Sequence, residues 1–468
     1  MRTNAWMSIR YRPGNSDKRP RNRWRFLAVS RGWGTWQNRP DMIPEKAFAG
    51  LLQLDDKWEV VAAEFETQPA ERFLLVVRET AKLWPSLRCP ETNCAASGVV
   101  CHDHAEARTW RHLDAFGKRA EILCALPRAR CKDYRKVWTV TAPWEDKGKH
   151  FTRDFEAFSP TSMREMPVKR AGEILGEGDT RLWRMLTAHV RDAHASADFS
   201  DVVPVGVDAM NRRKGHNYPA VFADREGRRV LFATEGKDHW TFEDFARELG
   251  RHNGHPHAIT RIAMDMSAAY RKGAAETLRN ARVVYDPFHV TALVGGAVDE
   301  VRRREAREGD DDAKSSLKGT MHLFRKNREN LTERQAEAMD GLDLKNLATG
   351  QAHRVHLERS DIHRTARTGE KARYRLEAWV HWAEAKCERW GELLAPLARA
   401  VKTIRGNPEG ILAHWDGELS TAFLEGLNSV FSAVKRKARG YRSTDYLVTM
   451  LYFVAGKLSM PSYPSHGK

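Results

Sequence analysis

The order of apolar and polar residues divides the chain into a β-rich part, a mixed part and a long helical part. Trp58–Glu66 and Arg72–Arg78 are rich in β-branched and aromatic residues, which predicts two short strands. Two helices are predicted next, Val168–Leu175 and Asp179–Val190, joined by a glycine-containing turn and with Asp179 as N-cap of the second. This pattern is typical of a helix-turn-helix; a helical linker packed on the core is the alternative.

From residue 201 the pattern alternates between strands and helices. An apolar run that ends at Asp208 is followed by a hairpin, a helix, a strand that ends at Asp265, a second helix and a strand that ends at Asp286. A mixed sheet with helical crossovers accounts for this order. The predicted elements are Val202–Val207, Tyr218–Ala223, Arg229–Ala233, Thr241–His252, Ile259–Met264, Ala268–Leu278 and Arg282–Tyr285.

The part from about residue 290 to 420 is predicted to be helical throughout. Thr332 and Gln335 form a capping box at one helix start. Apolar residues at helical spacing predict one amphipathic helix of about six turns, with Cys387 in the core rather than on a metal. They are Leu376, Trp379, Val380, Ala383, Cys387, Trp390, Leu394 and Leu397.

Length and charge narrow the class of protein. The 468 residues suggest several domains. A net charge of +16 and a pI near 9.6 favour nucleic acid as partner, ahead of an acidic membrane or a merely basic enzyme. The first forty residues hold ten Lys and Arg and one acid, which predicts a poorly ordered arm that either contacts DNA phosphates or has no function. No membrane span or signal peptide is recognised, so we expect a cytoplasmic protein.

Cysteine spacing indicates a metal site. Five of the six cysteines lie between residues 89 and 131. In a reducing compartment such clustering favours metal ligation over disulfides. Cys124 lies in an apolar run and is expected in the core instead.

Three acids form a second candidate site. Asp208 and Asp265 end strands of one predicted sheet, so we expect them close together, and Glu425 begins a helix after the helical part. Phosphoryl transfer needs such a group, because Mg²⁺ ions held by carboxylates can activate the attacking oxygen and stabilise the leaving one. Helix capping or turn formation is the alternative for each acid taken alone.

Several short motifs occur together in an order that is highly specific. They are Trp110–Asp114 (WRHLD), Pro127–Arg128, Val207–Asp208, Met264–Tyr270 (MDMSAAY), Tyr285–Val290 (YDPFHV), Arg328–Thr332 (RENLT), Glu425–Ser429 (EGLNS) and Lys435–Arg442 (KRKARGYR). On these residues the chain, from about 49 to 458, resembles DDE transposases of the ISL-three insertion-sequence family.

The resemblance implies an RNase H-like catalytic core interrupted by an all-helical insertion, with Asp208, Asp265 and Glu425 as a triad that holds Mg²⁺ or Mn²⁺. The implied reaction is hydrolysis at transposon ends, then attack of the freed 3′-hydroxyl on target DNA, without a covalent enzyme intermediate. The implied partners are terminal inverted repeats and target DNA, bound by at least a dimer on paired ends. Asp286 and His289 either support the triad, which we favour, or Asp286 only caps the helix near His289.

The resemblance also implies a small zinc-ribbon-like β module. Its structural zinc would be held by Cys89, Cys94, Cys101 and Cys131. His102 and His104 are alternatives to Cys101 as the remaining ligand. The family usually completes the second pair shortly after the third ligand, where this chain has Tyr134. A ribbon held by its strands alone, without zinc, is the alternative.

Basic residues predict two DNA-binding surfaces. On the second helix of the predicted helix-turn-helix, arginines are expected to reach phosphates or guanine edges while Trp183 and Leu186 face inward. These arginines are Arg181, Arg184 and Arg191. A basic run after Glu425 suits DNA phosphates better than a merely solvated face does. It comprises Lys435, Arg436, Lys437, Arg439 and Arg442.

The predicted fold class is mixed α/β, and the predicted function is that of a bacterial insertion-sequence transposase. A non-catalytic zinc and helix-turn-helix regulator, an inactive transposase copy and an RNase H-like nuclease acting on other nucleic acid are the alternatives. The predicted domains are the basic arm 1–48, the β module 49–150, the helix-turn-helix region 151–198, the first part of the core 199–300, the helical insertion 301–415 and the last part of the core 416–468.

Overall fold

The computed structural model describes residues 44–67, 71–91, 94, 98–146, 150–209, 219–236, 238–326, 330–342, 344, 346–416, 422–438 and 440–461. Residues 1–43 of the predicted arm, Arg328 and Glu329 of one motif and Arg439 of the basic run lie outside the described residues. The chain forms two compact units, one that ends at Phe155 and one that begins at Glu156.

The amino-terminal unit is rich in strands. Its elements are α1 (Pro44–Leu51), β1 (Trp58–Glu66), β2 (Arg72–Glu79), α2 (Leu83–Ser86), β3 (Val99–His104), β4 (Arg108–Ala115), β5 (Lys118–Cys124), β6 (Pro127–Cys131) and β7 (Val137–Thr139). One sheet has the order β1-β2-β5-β4 and the other β3-β6-β7. Trp144 packs edge-on against Trp58 and Trp110, with ring centroids 5.5 and 5.6 Å away, so indole rings fill much of the core.

The two strands predicted for this unit are confirmed, and the unit also contains a helix that was not predicted. The strands predicted from Trp58 and Arg72 are β1 and β2. Helix α1 begins at Pro44, within the segment 1–48 predicted as a basic arm. Phe48 of this helix packs against Phe73 of β2, with ring centroids 5.2 Å apart, and this apolar contact explains why a helix forms there.

Three helices follow. Helix α3 (Arg153–Glu165) begins in the last residues of the first unit, and α4 (Val168–Leu175) and α5 (Asp179–Ala195) belong to the second. Helix α4 has its predicted bounds, and it ends at Gly176, whose φ of 63° suits a residue without a side chain. The prediction of Asp179 as N-cap is wrong, because Gly178 occupies that position. Asp179 is instead the first helical residue, where its negative charge is favourable beside the helix N-terminus.

A mixed sheet follows, as predicted. Its elements are β8 (Pro204–Ala209), β9 (Pro219–Asp224), β10 (Arg229–Glu235), α6 (Trp240–Arg251), β11 (Arg261–Met264), α7 (Ala268–Thr277) and β12 (Arg282–Tyr285). The strand order is β10-β9-β8-β11-β12. The first three described strands pair antiparallel, whereas β11 runs parallel to both β8 and β12. This topology brings the carboxyl ends of β8, β11 and β12 to one edge of the sheet.

The remainder of the described chain is helical. The helices are α8 (Pro287–Glu308), α9 (Asp311–Leu317), α10 (Met321–Arg325), α11 (Glu333–Asp340), α12 (Ala348–Thr365), α13 (Gly369–Trp390), α14 (Ala395–Arg405), α15 (Pro408–Leu412), α16 (Ala422–Ala438) and α17 (Thr444–Ala455). The core of α8 to α15 is continuous with that of the mixed sheet. Within the described part of the chain, none of the helices combines the length and apolar character that crossing a bilayer requires.

Two predictions for this helical part have different outcomes. The capping box of Thr332 and Gln335 is confirmed at the start of α11. The single six-turn helix is wrong, because α13 ends at Trp390 and Gly391 has a φ of 54°, which interrupts the helix before α14. Cys387 is buried in the core, as predicted.

Candidate functional site

Two predicted acids lie at the carboxyl ends of adjacent parallel strands. Strands β8 and β11 pair with Val205 opposite Ile262 and Gly206 opposite Ala263. The same register, continued by two residues, sets Asp208 beside Asp265. Neighbouring strands are about 4.8 Å apart, and residues in parallel register point to the same face. The sheet therefore places these two residues at neighbouring strand ends, and their action as a pair of metal ligands stays a prediction.

Both carboxylates also make short local hydrogen bonds. Asp208 Oδ1 accepts the backbone N–H of Ala209 at 2.7 Å. Asp265 Oδ1 accepts the backbone N–H of Ser267 at 2.8 Å, just before α7. The turn-forming role of Asp265 is thus present, and it adds to its place at the strand end. The local bonds orient the side chains, which is what a ligand set requires.

Two side chains, those of Tyr270 and His289, interact electrostatically with these acids. Burial raises the pKa of Tyr270, and the negative charges of Asp265 and Asp208 raise it further, so its phenol stays neutral beside them. His289, in the first turn of α8, places Nε2 3.8 Å from Asp208 Oδ1. Asp286 is the N-cap of α8 and accepts the backbone N–H of Phe288 at 2.8 Å. His289 therefore lies beside Asp208, and Asp286 caps the helix that carries His289.

Glu425, the third predicted acid, lies in the first part of α16. Its side chain lies outside the part of the chain that the structure describes. Of the three predicted acids, two thus lie at neighbouring strand ends, and the third lies in a helix. Two neighbouring carboxylates repel each other unless a cation or a proton lies nearby. Their hard oxygen atoms are ligands that Mg²⁺ and Mn²⁺ prefer, so the residues fit the divalent cation that the acids imply.

Three of the predicted zinc ligands form a close group in the amino-terminal unit. Ligand atoms of Cys89, Cys94 and Cys131 all lie within 4.8 Å of one another, and the Sγ atoms of Cys94 and Cys131 are 3.5 Å apart. Tyr134 donates its backbone N–H to Cys131 Sγ at 3.5 Å, and this bond is the main reason why the pKa of Cys131 is lowered. A thiolate is therefore favoured where a zinc ligand needs one.

Cys101 is not part of this group, contrary to the prediction. Strand β3 pairs Val99 with Cys131, so Cys101 lies two residues farther along, which is about 7 Å away. Its Sγ is exposed and lies 3.9 Å from the carbonyl oxygen of Asp103. The two alternative ligands, His102 and His104, are also absent from the group, and His104 Nε2 lies 2.8 Å from Glu79 Oε1. Cys124 is buried as predicted, and burial raises its pKa to about 12.

Helix α5 presents arginines on one face and apolar residues on the other. Arg184 and Arg191 are exposed, and Arg181 forms an ion pair with Glu177 at 2.6 Å. Trp183 and Leu186 are buried, as predicted. The helix therefore has the amphipathic character of a surface helix that can offer its basic face to another molecule.

The basic run lies against the helix-turn-helix. Lys437 donates Nζ to the backbone carbonyl of Arg164 at the end of α3. Arg442 is 3.3 Å from Asp179, the first residue of α5. Arg436 is exposed. The fold thus places two basic segments that are far apart in sequence next to each other.

One group with metal-ligand atoms was not predicted from sequence. His194, Glu248 and His252 place one ligand atom each within 4.8 Å of the others. Burial lowers the pKa of His194. The spacing of Glu248 and His252, four residues apart around the end of a helix, is the only local sign of this group.

Comparison with known proteins covers most of the chain. A family model described as "Transposase" matches residues 205–451, and a model of the helix-turn-helix domain of transposase family ISL3 matches residues 140–190. The chain is 32% identical over 394 residues to the transposase for insertion sequence element IS1001 from Bordetella parapertussis, covering 83% of this chain and 92% of that one. It is 25% identical over 454 residues to the transposase for IS1557 from Mycobacterium tuberculosis, covering 90% and 98%.

Proposed function

The chain belongs to the ISL3 (ISL-three) family of transposases, and from this premise we propose that it binds the terminal inverted repeats of its own element and catalyses metal-dependent DNA cleavage and strand transfer. As a member it is an insertion-sequence transposase with a DNA-binding helix-turn-helix domain and a DDE domain. The observation that carries the catalytic proposal is the register of β8 and β11, which sets Asp208 beside Asp265 inside the matched region.

We assign catalysis to Asp208, Asp265 and Glu425. The two aspartates would hold Mg²⁺ or Mn²⁺ through their oxygen atoms, and Glu425 would complete the set from α16. When bound, the cation supplies activation of the attacking oxygen and stabilisation of the leaving one. His289, 3.8 Å from Asp208, would position that carboxylate or a DNA phosphate. The reaction would begin with hydrolysis at the element's ends and continue with attack of the freed 3′-hydroxyl on target DNA.

The core that carries these acids is proposed to be RNase H-like, with the segment 301–415 as its helical insertion. The five-stranded mixed sheet and the continuous helical core support this assignment. The predicted divisions at 48, 150, 198, 300 and 415 stay a proposal.

DNA contacts are proposed for two neighbouring basic segments. In the second helix of the helix-turn-helix, Arg181, Arg184 and Arg191 would contact phosphates or guanine edges. Lys435, Arg436, Lys437, Arg439 and Arg442 would bind phosphates near the acids. This proposal is supported by two contacts. Lys437 binds α3 and Arg442 binds α5, so the two basic segments form one region. On paired ends we expect at least a dimer.

The amino-terminal unit is proposed to hold a structural zinc ion as a zinc-ribbon-like module. Cys89, Cys94 and Cys131 would be three of its ligands, and their thiolate chemistry fits zinc rather than Mg²⁺. Cys101 is not included, because it lies too far along β3.

The test is cleavage and joining of labelled DNA that carries the element's own ends, in the presence of Mg²⁺. The wild type is compared with Asp208→Asn, Asp265→Asn and Glu425→Gln. Asp311→Asn is the matched control, because Asp311 is an exposed acid of α9. We expect each of the three substitutions to reduce cutting at least about a thousandfold while binding persists, and the control to cut as the wild type does.

Other outcomes separate the alternatives. Undiminished cutting by the three variants would mean that the acids are structural. Binding of the ends without any cutting by the wild type would identify a regulator or an inactive copy. Cutting without preference for the ends would identify a nuclease that acts on other nucleic acid.

A further inference from the structure

His194, Glu248 and His252 meet where the helix-turn-helix joins the layer that covers the mixed sheet. His194 lies in the last turn of α5, Glu248 lies in α6, and His252 directly follows α6. His194 and His252 are buried, and the side chain of Glu248 is 15% exposed. Three groups that can bind a metal thus converge from two elements, and none of them is a proposed catalytic acid or a cysteine.

A backbone carbonyl fixes one nitrogen of each imidazole ring as a hydrogen-bond donor. His194 donates Nε2–H to the carbonyl oxygen of Leu231 at 3.0 Å, because a carbonyl can only accept. His252 likewise donates Nδ1–H to the carbonyl oxygen of Ala197 at 3.0 Å. In the neutral rings, the remaining nitrogens, Nδ1 of His194 and Nε2 of His252, are left with lone pairs. Metal-binding histidines are usually held in this way, with the second ring nitrogen donating to a carbonyl or carboxylate.

Both lone pairs face the same oxygen atom. Glu248 Oε1 lies 3.6 Å from His194 Nδ1 and 3.2 Å from His252 Nε2. Two lone pairs and a carboxylate oxygen repel one another unless a cation or a proton lies between them. In a tetrahedral zinc site with bonds of about 2.0–2.1 Å, ligand atoms are about 3.3 Å apart. The two observed nitrogen–oxygen separations, 3.6 and 3.2 Å, lie just above and just below that value.

The surroundings suit a site that is closed to solvent. Tyr452 packs on His194 with ring centroids 4.3 Å apart, and Phe199 packs on His252 at 4.6 Å. Arg251 binds the second carboxylate oxygen, Oε2, at 2.9 Å and leaves Oε1 towards the imidazoles. These three side chains would supply three of the four ligands of a tetrahedral zinc ion, with a water molecule as the fourth.

We propose that His194, Glu248 and His252 form a structural site for a zinc-class divalent cation, which fastens the end of α5 to α6. Imidazole nitrogen with one carboxylate oxygen selects zinc or cobalt over Mg²⁺. The bound cation would hold the second helix of the helix-turn-helix in a fixed position relative to the mixed sheet. The inference stands apart from the catalytic proposal, since none of the three residues is a proposed catalytic acid.

The test is the zinc content of the full-length chain after equilibration with Zn²⁺ and gel filtration, measured by mass spectrometry of the metal. We compare the wild type, His252→Gln and the matched control His257→Gln, an exposed histidine close in sequence. Loss of one zinc equivalent per chain in His252→Gln, with the control at the wild-type level, is the expected result. A folded His252→Gln protein with wild-type zinc content would overturn the proposal.

A second measurement needs no variant and decides the case in which His252→Gln does not fold. X-ray absorption at the zinc edge of the wild type separates sulfur ligands at about 2.3 Å from nitrogen and oxygen ligands at about 2.0–2.1 Å. The proposal requires a nitrogen and oxygen shell, whether or not the cysteines also hold zinc. A shell of sulfur alone, or no bound zinc, would show that the group is held together by protons instead.

Discussion

The acidic pair and the cysteine group of this transposase offer opposite metal chemistry. In the second unit, Asp208 and Asp265 present oxygen atoms at the ends of two paired strands. In the first unit, Cys89, Cys94 and Cys131 present sulfur atoms, two of them 3.5 Å apart. Oxygen ligands bind Mg²⁺ loosely and leave room for substrate phosphates, whereas thiolates bind zinc tightly and fill its coordination sphere. The difference fits our proposal that a cation on the carboxylates serves the reaction and that zinc on the thiols serves the fold.

The two sites are also built differently. The carboxylates depend on the register of β8 and β11, so any change that shifts this sheet moves both of them together. The thiols depend on Cys131 at the end of β6 and on two cysteines from the segment before β3. A sheet register persists without a metal, but a group of thiols from separate segments gains much of its order from the ion. Removing each metal should therefore have distinct consequences.

The largest expected effect is the loss of cleavage when Mg²⁺ and Mn²⁺ are omitted from the buffer without a chelator. Cutting of terminal-repeat DNA should fall about a thousandfold, equivalent to about 4 kcal/mol, because the carboxylates alone cannot activate the attacking oxygen. The zinc content and the thermal unfolding of the protein should stay unchanged. Cutting that persists under these conditions would show that the acids do not act through a divalent cation.

The next effect concerns the thiol group. Cys131→Ser should lose zinc from the amino-terminal unit and lower its free energy of unfolding by about 3 kcal/mol, because the ligand set is broken. Cys101→Ser is the matched control, an exposed cysteine outside the group, and it should keep zinc and stability. Zinc analysis and chemical denaturation measure both quantities. Equal zinc loss in the two variants would restore Cys101 to the ligand set.

A third effect concerns the pH dependence of stability in the helical part. Burial lowers the pKa of His353 to about 4, and that of His363 also to about 4, within the helical part of the second unit. The pKa of each of these histidines is lower in the folded protein than in the unfolded chain. The unfolded chain therefore takes up protons at a higher pH than the folded protein does. The stability that neutral histidines contribute is thus present above about pH 6.5 and is lost between there and pH 4.

For His353 alone, the free energy of unfolding should be about 2 kcal/mol lower at pH 5 than at pH 7. Denaturation of the wild type and of His353→Gln at both pH values checks this, since the variant should lose less stability on acidification. An identical loss in both proteins would mean that His353 becomes protonated without a cost to the fold.

Local patterns predicted much of the fold, and long-range pairing supplied the rest. The strand Arg282–Tyr285 and the helix Val168–Leu175 match their predicted bounds, because periodicity and end signals lie within each segment. The break at Gly391 was missed, because the apolar spacing continues across a residue whose positive φ ends the helix.

The candidate sites, too, were predictable only where local sequence patterns determine them. Proximity of Asp208 and Asp265 was predictable, since both follow strands of one sheet, but their side-by-side register was not. The exclusion of Cys101 follows from the pairing of Val99 with Cys131, which no spacing rule contains. The approach of His194 to Glu248 depends on how α5 packs near α6, so sequence could offer only the spacing within α6.

The smallest expected effect is that of His289→Gln. His289 lies 3.8 Å from Asp208, in the first turn of the helix that Asp286 caps, so it lies beside one of the proposed acids without being one of them. Residues that orient a ligand typically change activity tenfold to a hundredfold, and we expect cutting to fall about tenfold, or about 1.4 kcal/mol. The exposed His381, replaced by Gln, is the control and should leave the rate unchanged. The half-saturating Mg²⁺ concentration should rise in His289→Gln if the imidazole orients Asp208. An unchanged Mg²⁺ requirement with weaker DNA binding would assign His289 to a DNA phosphate instead, and a wild-type rate would leave Asp208 oriented by its own local hydrogen bond.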